Sequence, residues 1–125
     1  MPFVITLGFA TEHDRDEFLN RTLHRIRGQV TDPSIVPSEP DGLHRIGIAV
    51  TSPSAARDVC HQVVSFLAHA KNDRVNLAWP GANGEPQHGE VAGSAVKDAE
   101  ILAVRVGAAA KVHLEREKEA QPEPH

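Results

Sequence analysis

Residues 76–100 read NLAWPGANGEPQHGEVAGSAVKDAE and hold four of the nine glycines, the only tryptophan and an Asn-Gly pair. Two architectures fit this stretch. Backbone amides around Gly93 and Ser94, with Lys97 nearby, would form a phosphate-cradling loop if they opened a helix. Alternatively, Asn83-Gly84 is a turn pair suited to positive φ, so residues on either side would pair as a hairpin that leads into a helix. The phosphate motifs GxxxxGK[ST] and GxGxxG are both absent, and without them a glycine-rich loop is a weak signal. The hairpin is the preferred reading, with a connection that can exceed two residues.

Upstream of that hairpin the segment RVNLAW alternates, with Val75, Leu77 and Trp79 on one side and Arg74, Asn76 and Ala78 on the other. This is the period of a half-buried strand. The same pattern occurs twice before it. Phe3, Ile5, Leu7 and Phe9 alternate with Val4, Thr6 and Gly8, and Ile46, Ile48 and Val50 alternate with Arg45, Gly47 and Ala49. Between the strands lie helical signals. Thr11 followed by Asp14 makes a capping-box-like start, then Leu19, Leu23, Ile26 and Val30 recur at near-helical spacing, with Gly28 marking the helix end. Ser52 stands as an N-cap with Pro53 at the first helical position, and Val59, Val63, Phe66 and Ala70 trace an apolar stripe to Asn72. TDPSIVPSEPDG, residues 31–42, holds three prolines and reads as a loop. The last helix runs from about Asp98 to Lys118 in residues that mostly favour helix. The order βαβαββα follows: an α/β (α+β) two-layer sandwich on a mixed sheet of about four strands, with one domain over residues 1–118 and a solvated tail over 119–125.

The matching order of strand, capped helix, turn hairpin and final helix, in RIGIAVTSPSAARDV, RVNLAWPGANGEPQHGEV and VKDAEILAV, covers about half the chain. It resembles the effector-associated constant component domains of bacterial conflict systems. The resemblance implies a non-catalytic adaptor beside effector enzymes and supplies no catalytic residues to carry over.

Composition limits the alternatives. Thirteen Lys and Arg against seventeen Asp and Glu give a net charge of −4 with histidines neutral, the wrong sign for binding that rests on phosphate neutralisation. Four Phe, one Trp and no Tyr supply few stacking platforms for single-stranded nucleic acid. Cys60 is the single cysteine, which rules out an internal disulfide and, with no leader-like or membrane-spanning N-terminus, points to the cytoplasm.

Candidate chemistry is sparse. Cys60 and His61 are adjacent on a helix and face different ways, so Cys60 reads as a small core residue rather than a nucleophile. His61 and His69 would lie about 12 Å apart on their helix, too far to share one ion, and no HxxxH or HExxH occurs, so no metal is expected. Asp58 with His61 is the only close helical acid–histidine pair and reads as a surface contact. Ser52, Ser54 and Ser65 lack a GxSxG setting, and Asp14, Asp16 and Glu17 are explained by a solvated first turn. No cofactor is expected and the balance is against an enzyme.

The last helix carries two apolar stripes where a surface helix needs one. Ala99, Leu102, Val106 and Ala109 form the first, and Ile101, Val104, Ala108 and Val112 the second. Either the helix is wedged between layers of its own core, or the second stripe meets a partner. The expectation is therefore an interaction or adaptor module that oligomerises, or docks an effector protein, through Ile101, Val104, Ala108 and Val112 and the small-residue sheet face of Thr6, Gly8, Gly47, Ala49 and Ala78. The alternative is a small-ligand or nucleotide binder, or an accessory enzyme subunit, using loop 81–97 with Gly93, Ser94 and Lys97.

Overall fold

A computed structural model of the chain describes residues 3–21, 34–36, 42–69, 73–81, 85–93 and 97–120. Its elements are β1 (Phe3–Phe9), α1 (Glu12–Arg21), β2 (Ser34–Val36), β3 (His44–Val50), α2 (Pro53–Ala68), β4 (Arg74–Pro80), β5 (Pro86–Ala92) and α3 (Lys97–Ala120). The fold is an α+β two-layer sandwich: one five-stranded sheet, order β2-β3-β1-β4-β5, with the helices on one face.

The alternation in the sequence becomes the sheet's two faces. β1 pairs with β3 so that Phe3, Ile5 and Leu7 stand opposite Val50, Ile48 and Ile46, and with β4 so that Leu7 and Phe9 stand opposite Leu77 and Val75. All of these side chains are buried, and Trp79 and Val91 join them. A slip of one residue would turn the whole set to water, so burial of one face fixes the register.

The sheet is not mixed. Every described pairing is antiparallel. Because β1 is inserted between β3 and β4 and opposes both, those two strands run parallel to each other, and β3-α2-β4 is a split βαβ unit with β1 in the gap. The proline-rich segment read as a loop contains a strand, β2, whose Ile35 pairs with Ile46. Pro33 and Pro37 flank it in sequence, which suits a three-residue strand at a sheet edge, where a missing N–H costs no ladder bond.

The hairpin forms as read. β4 and β5 pair from Arg74 with Ala92 to Pro80 with Pro86, so the connection is residues 81–85, closed by the Gly81 N–H donating to the Glu85 carbonyl at 2.7 Å. Asn83 and Gly84 themselves lie outside the described residues.

The helix starts also follow their caps. The Asp14 N–H donates to Thr11 Oγ1 at 3.1 Å, and the Ala55 N–H donates to Ser52 Oγ at 3.1 Å with Pro53 in the first turn. On α1 the core residue is Phe18, with Leu19 only partly buried beside it. Phe18 belongs to an aromatic triad with Phe9 at 5.3 Å and Phe66 at 6.0 Å between ring centroids. Leu23, Ile26, Gly28 and Val30, and Ala70 and Asn72 after α2, are outside the described residues.

α3 lies against α2 and reaches the sheet at β4, β1 and β5. Two glycines permit these approaches. A Cβ on Gly89 of β5 would fall 2.5 Å from Leu102 Cδ1, and one on Gly107 of α3 would fall 2.8 Å from Arg57 Cγ on α2. Both are far inside contact distance, so helix and sheet, and helix and helix, meet as closely as they do because neither position carries a side chain. α3 continues through Ala120, two residues into the stretch read as tail.

Candidate functional site

α3 buries one of its two apolar stripes. Ala99, Leu102, Val106 and Ala109 are in the core, with Ala103 and Ala110 between them. The second stripe faces away. Ile101 is 63% exposed and Val104 67%, and these are the exposed large hydrophobics among the described residues. Ala108 is exposed one turn further on and Val112 half-exposed after it. Their spacing of three, four and four residues lines one helix face. The wedged-core arrangement, with both stripes covered inside one chain, is therefore not the one adopted.

The stripe is continued sideways by a feature absent from the sequence reading. The Arg105 guanidinium sits 5.9 Å above the Trp79 ring centroid. Beside it a shallow depression of about 320 Å³ is lined by Trp79, Gly81, Gln87, Arg105, Ala108 and Val112. Trp79 was legible as a core residue; its reach to α3 was not, because nothing local links residue 79 to residue 105. Exposed charges border the stripe: Glu100, Arg105, Lys111, Glu115 and Arg116.

The opposite face of the sheet is lined, among the described residues, by small side chains, of which Gly8 and Gly47 are buried and Thr6, Ala49 and Ala78 partly exposed. Thr6, Gly8, Gly47, Ala49 and Ala78 are placed there by register, as alternation predicts. A broad concavity of about 710 Å³ runs across it, bounded by Leu43, Arg45, Asn76, His88 and Glu90. Leu43 closes over Gly8, and Arg74 pairs with Glu90 at 3.5 Å. This face is small-residued and rimmed by charge.

The anion-loop residues are only partly described. The Gly93 N–H already donates to the Asp73 carbonyl at 2.9 Å, so that amide is spent on holding the β5 exit against the β4 entry. Ser94 and the Lys97 side chain fall outside the described residues. Cys60 is buried, and desolvation pushes its thiol up to about 12, which removes the thiolate a nucleophile or metal ligand requires. His61 and His69 are exposed. Among the described residues no three His, Cys, Asp or Glu side chains are grouped to hold a metal ion. The acids at the start of α1 meet one more from the β4 entry: Asp73 is pushed up by desolvation, by a hydrogen bond with Asp14 and by the charges of Asp14 and Glu17. Arg15 pairs with Glu12 at 3.3 Å and with Asp16 at 3.2 Å, and His13 lies 3.7 Å from Glu17, so the same turn also carries basic partners.

No helix among the described residues is long and apolar enough to cross a membrane. Neither the protein-family models, the curated proteins nor the solved structures compared with this chain gave a match.

Proposed function

We propose that the chain is a non-catalytic interaction module of the cytoplasm that assembles through the outer face of α3, the role implied by its resemblance to the constant adaptor domains of bacterial conflict systems. The observation that carries this reading is the stripe of Ile101, Val104, Ala108 and Val112, left in water on a helix whose opposite face is fully used. Large apolar side chains standing together on a small domain are usually covered in the working state. The other surfaces offer less. The sheet edges are blunted, β2 by its three-residue length and β5 by Pro86 at its start, which discourages strand addition.

Sedimentation of the full chain over a range of concentrations tests the proposal. A single helix face covers less than a standard interface of about 800 Å² per partner, so affinity on the order of micromolar is expected. Val104→Glu should abolish the assembly and leave the melting temperature of the dilute protein unchanged, since the side chain is 67% exposed. A wild type that stays monomeric at every concentration would remove the proposal.

A further inference from the structure

Arg105, Ala108, Ala109 and Val112 stand at positions i, i+3, i+4 and i+7 of α3, and they line the depression that Trp79 and Gln87 wall on the sheet side. Four residues at this spacing form the hole into which a facing helix sets one side chain in knobs-into-holes packing. Two of the four are alanines, so this hole is open to a large knob. The exposed large hydrophobics among the described residues are Ile101 and Val104. Ile101 precedes the centre of the hole by about 11 Å along the helix, too far to fill it from within its own chain. The same helix therefore carries a knob and an empty hole two turns apart.

The geometry points to a two-fold pair of these chains, in which α3 packs antiparallel on α3 of the second copy and each Ile101 fills the depression of the other. This rests on the assembly reading above and adds the occupant and the register. The two-fold axis passes between Arg105 and Val106. Ile101 then comes level with Ala110 of the second copy, between Ala108 and Val112 and over the hole. Val104 packs on Ala108 of the second copy, where the small side chain permits a close helix approach of about 8 Å between axes. The register also matches charge. Glu100 and Lys111 are both exposed, and a separation of about three turns puts them on one edge of the stripe. A two-fold sets each edge against itself reversed, so Glu100 comes level with Lys111 of the second copy, twice per dimer. Glu115 falls just beyond Lys97, the first residue of the second copy's α3, where a carboxylate meets the positive end of the helix. One contact opposes the pairing: the two Arg105 side chains come level across the axis, although each is drawn aside onto its own Trp79 ring. A parallel pair sets Ile101 against Ile101 and leaves both holes empty. An isologous contact closes at two copies, whereas a knob accepted without reciprocity propagates into open chains.

Charge reversal tests the register in the full chain. Glu100→Lys or Lys111→Glu alone turns two attractive contacts per dimer into repulsive ones, and each variant should dimerise about tenfold more weakly than wild type at low salt. An equimolar mixture of the two should recover wild-type affinity as a heterodimer, identified by native mass, and the variant carrying both changes should recover it as a homodimer. Cross-linking tests the knob. Ile101→Cys and Val112→Cys differ by about 3 Å in height across the pair, within reach of a disulfide, while the native Cys60 is buried. Mixed and mildly oxidised, the two variants should form a disulfide-linked heterodimer, and neither should cross-link with itself. Self-linking of either variant, or no heterodimer, overturns the register, as do single charge variants that pair as tightly as wild type. Val104→Glu separates that failure from failure of the assembly reading: if it still disperses the assembly, the stripe remains the interface and only the register falls. A monomeric wild type overturns both.

Discussion

Ile48 and Ile101 are the same side chain in opposite circumstances, and truncating each in turn tests the assignment of faces on which everything else depends. Ile48 is fully buried at the centre of β3, opposite Ile5 of β1, whereas Ile101 is 63% exposed on α3. Ile48→Ala removes buried methyl and methylene groups and leaves a cavity that the neighbouring strand cannot fill, at a cost of about 3 to 4 kcal/mol. For a domain near this length that lowers the melting temperature by roughly 10 to 15 °C. Ile101→Ala loses only the covered third of its side chain, and alanine recovers a few tenths of a kcal/mol, roughly, through its better helix propensity. Its melting temperature should stay within about 2 °C of wild type, since net changes under about 0.5 kcal/mol are expected for a surface position. Both melts are followed by circular dichroism at concentrations low enough to keep the protein dissociated. Equal losses at the two sites would mean that α3 is covered within its own chain; a silent Ile48→Ala would mean that the sheet register is wrong.

Gly89→Val should destabilise by about 1 to 3 kcal/mol because the new side chain meets Leu102, and Leu102→Ala in the same chain should make the combined loss smaller than the sum of the two, read by chemical denaturation. Asp73→Asn addresses the acidic cluster. A carboxyl whose folded value is raised above its ordinary 3.8 favours the fold below that ordinary value and loses this contribution as pH rises through the folded value. The variant should therefore melt higher than wild type at pH 7, and the gap should shrink towards pH 4; a gap that widens on acidification would contradict the raised value. Cys60 should resist iodoacetamide at pH 8 in the native protein and react fully in denaturant, since its thiol is buried and pushed up to about 12; rapid native labelling would show that α2 opens or sits elsewhere.

The strands were legible because alternation is a local signal: Phe3 to Phe9, Ile46 to Val50 and Val75 to Trp79 each declare their buried face within seven residues or fewer. The caps at Thr11 and Ser52 are equally local, and both form the bonds their spacing predicts. Strand order is not local. Helix connections suggest parallel neighbours, and nothing within β3, α2 or β4 announces that β1 will lie between them. β2 escaped for a different reason: three residues between prolines carry too little pattern to outweigh the breakers, and only pairing with Ile46 makes Ile35 a strand residue. Phe18 entered the core beside the partly buried Leu19 because Phe9 and Phe66, distant in sequence, form the socket it fills. The candidate interface was visible as a surplus of apolar residues on one helix, but sequence could not choose between a wedged helix and an exposed one. That choice depends on how many layers the chain can build, and 125 residues with one sheet build two.

An exposed stripe of valine and isoleucine is also an aggregation hazard, and the rest of the surface limits where it can lead. β5 begins with Pro86 and carries Gln87, His88 and Glu90, while β2 is short, so neither edge invites a further strand. The opposite sheet face offers glycine, alanine and threonine at its centre and Arg45, Arg74, His88 and Glu90 around it, with Val4 and Leu43 as its larger apolar side chains among the described residues. Contact between the stripe and that face would bury little and would strand charges. The stripe itself is only four positions long and ends at Glu115, so it is satisfied by one helix of similar length and leaves no apolar surface for a third. Blunted edges and exposed large hydrophobics confined, among the described residues, to one charge-bordered helix face are what the proposed interaction role requires: one discrete contact, made at the stripe.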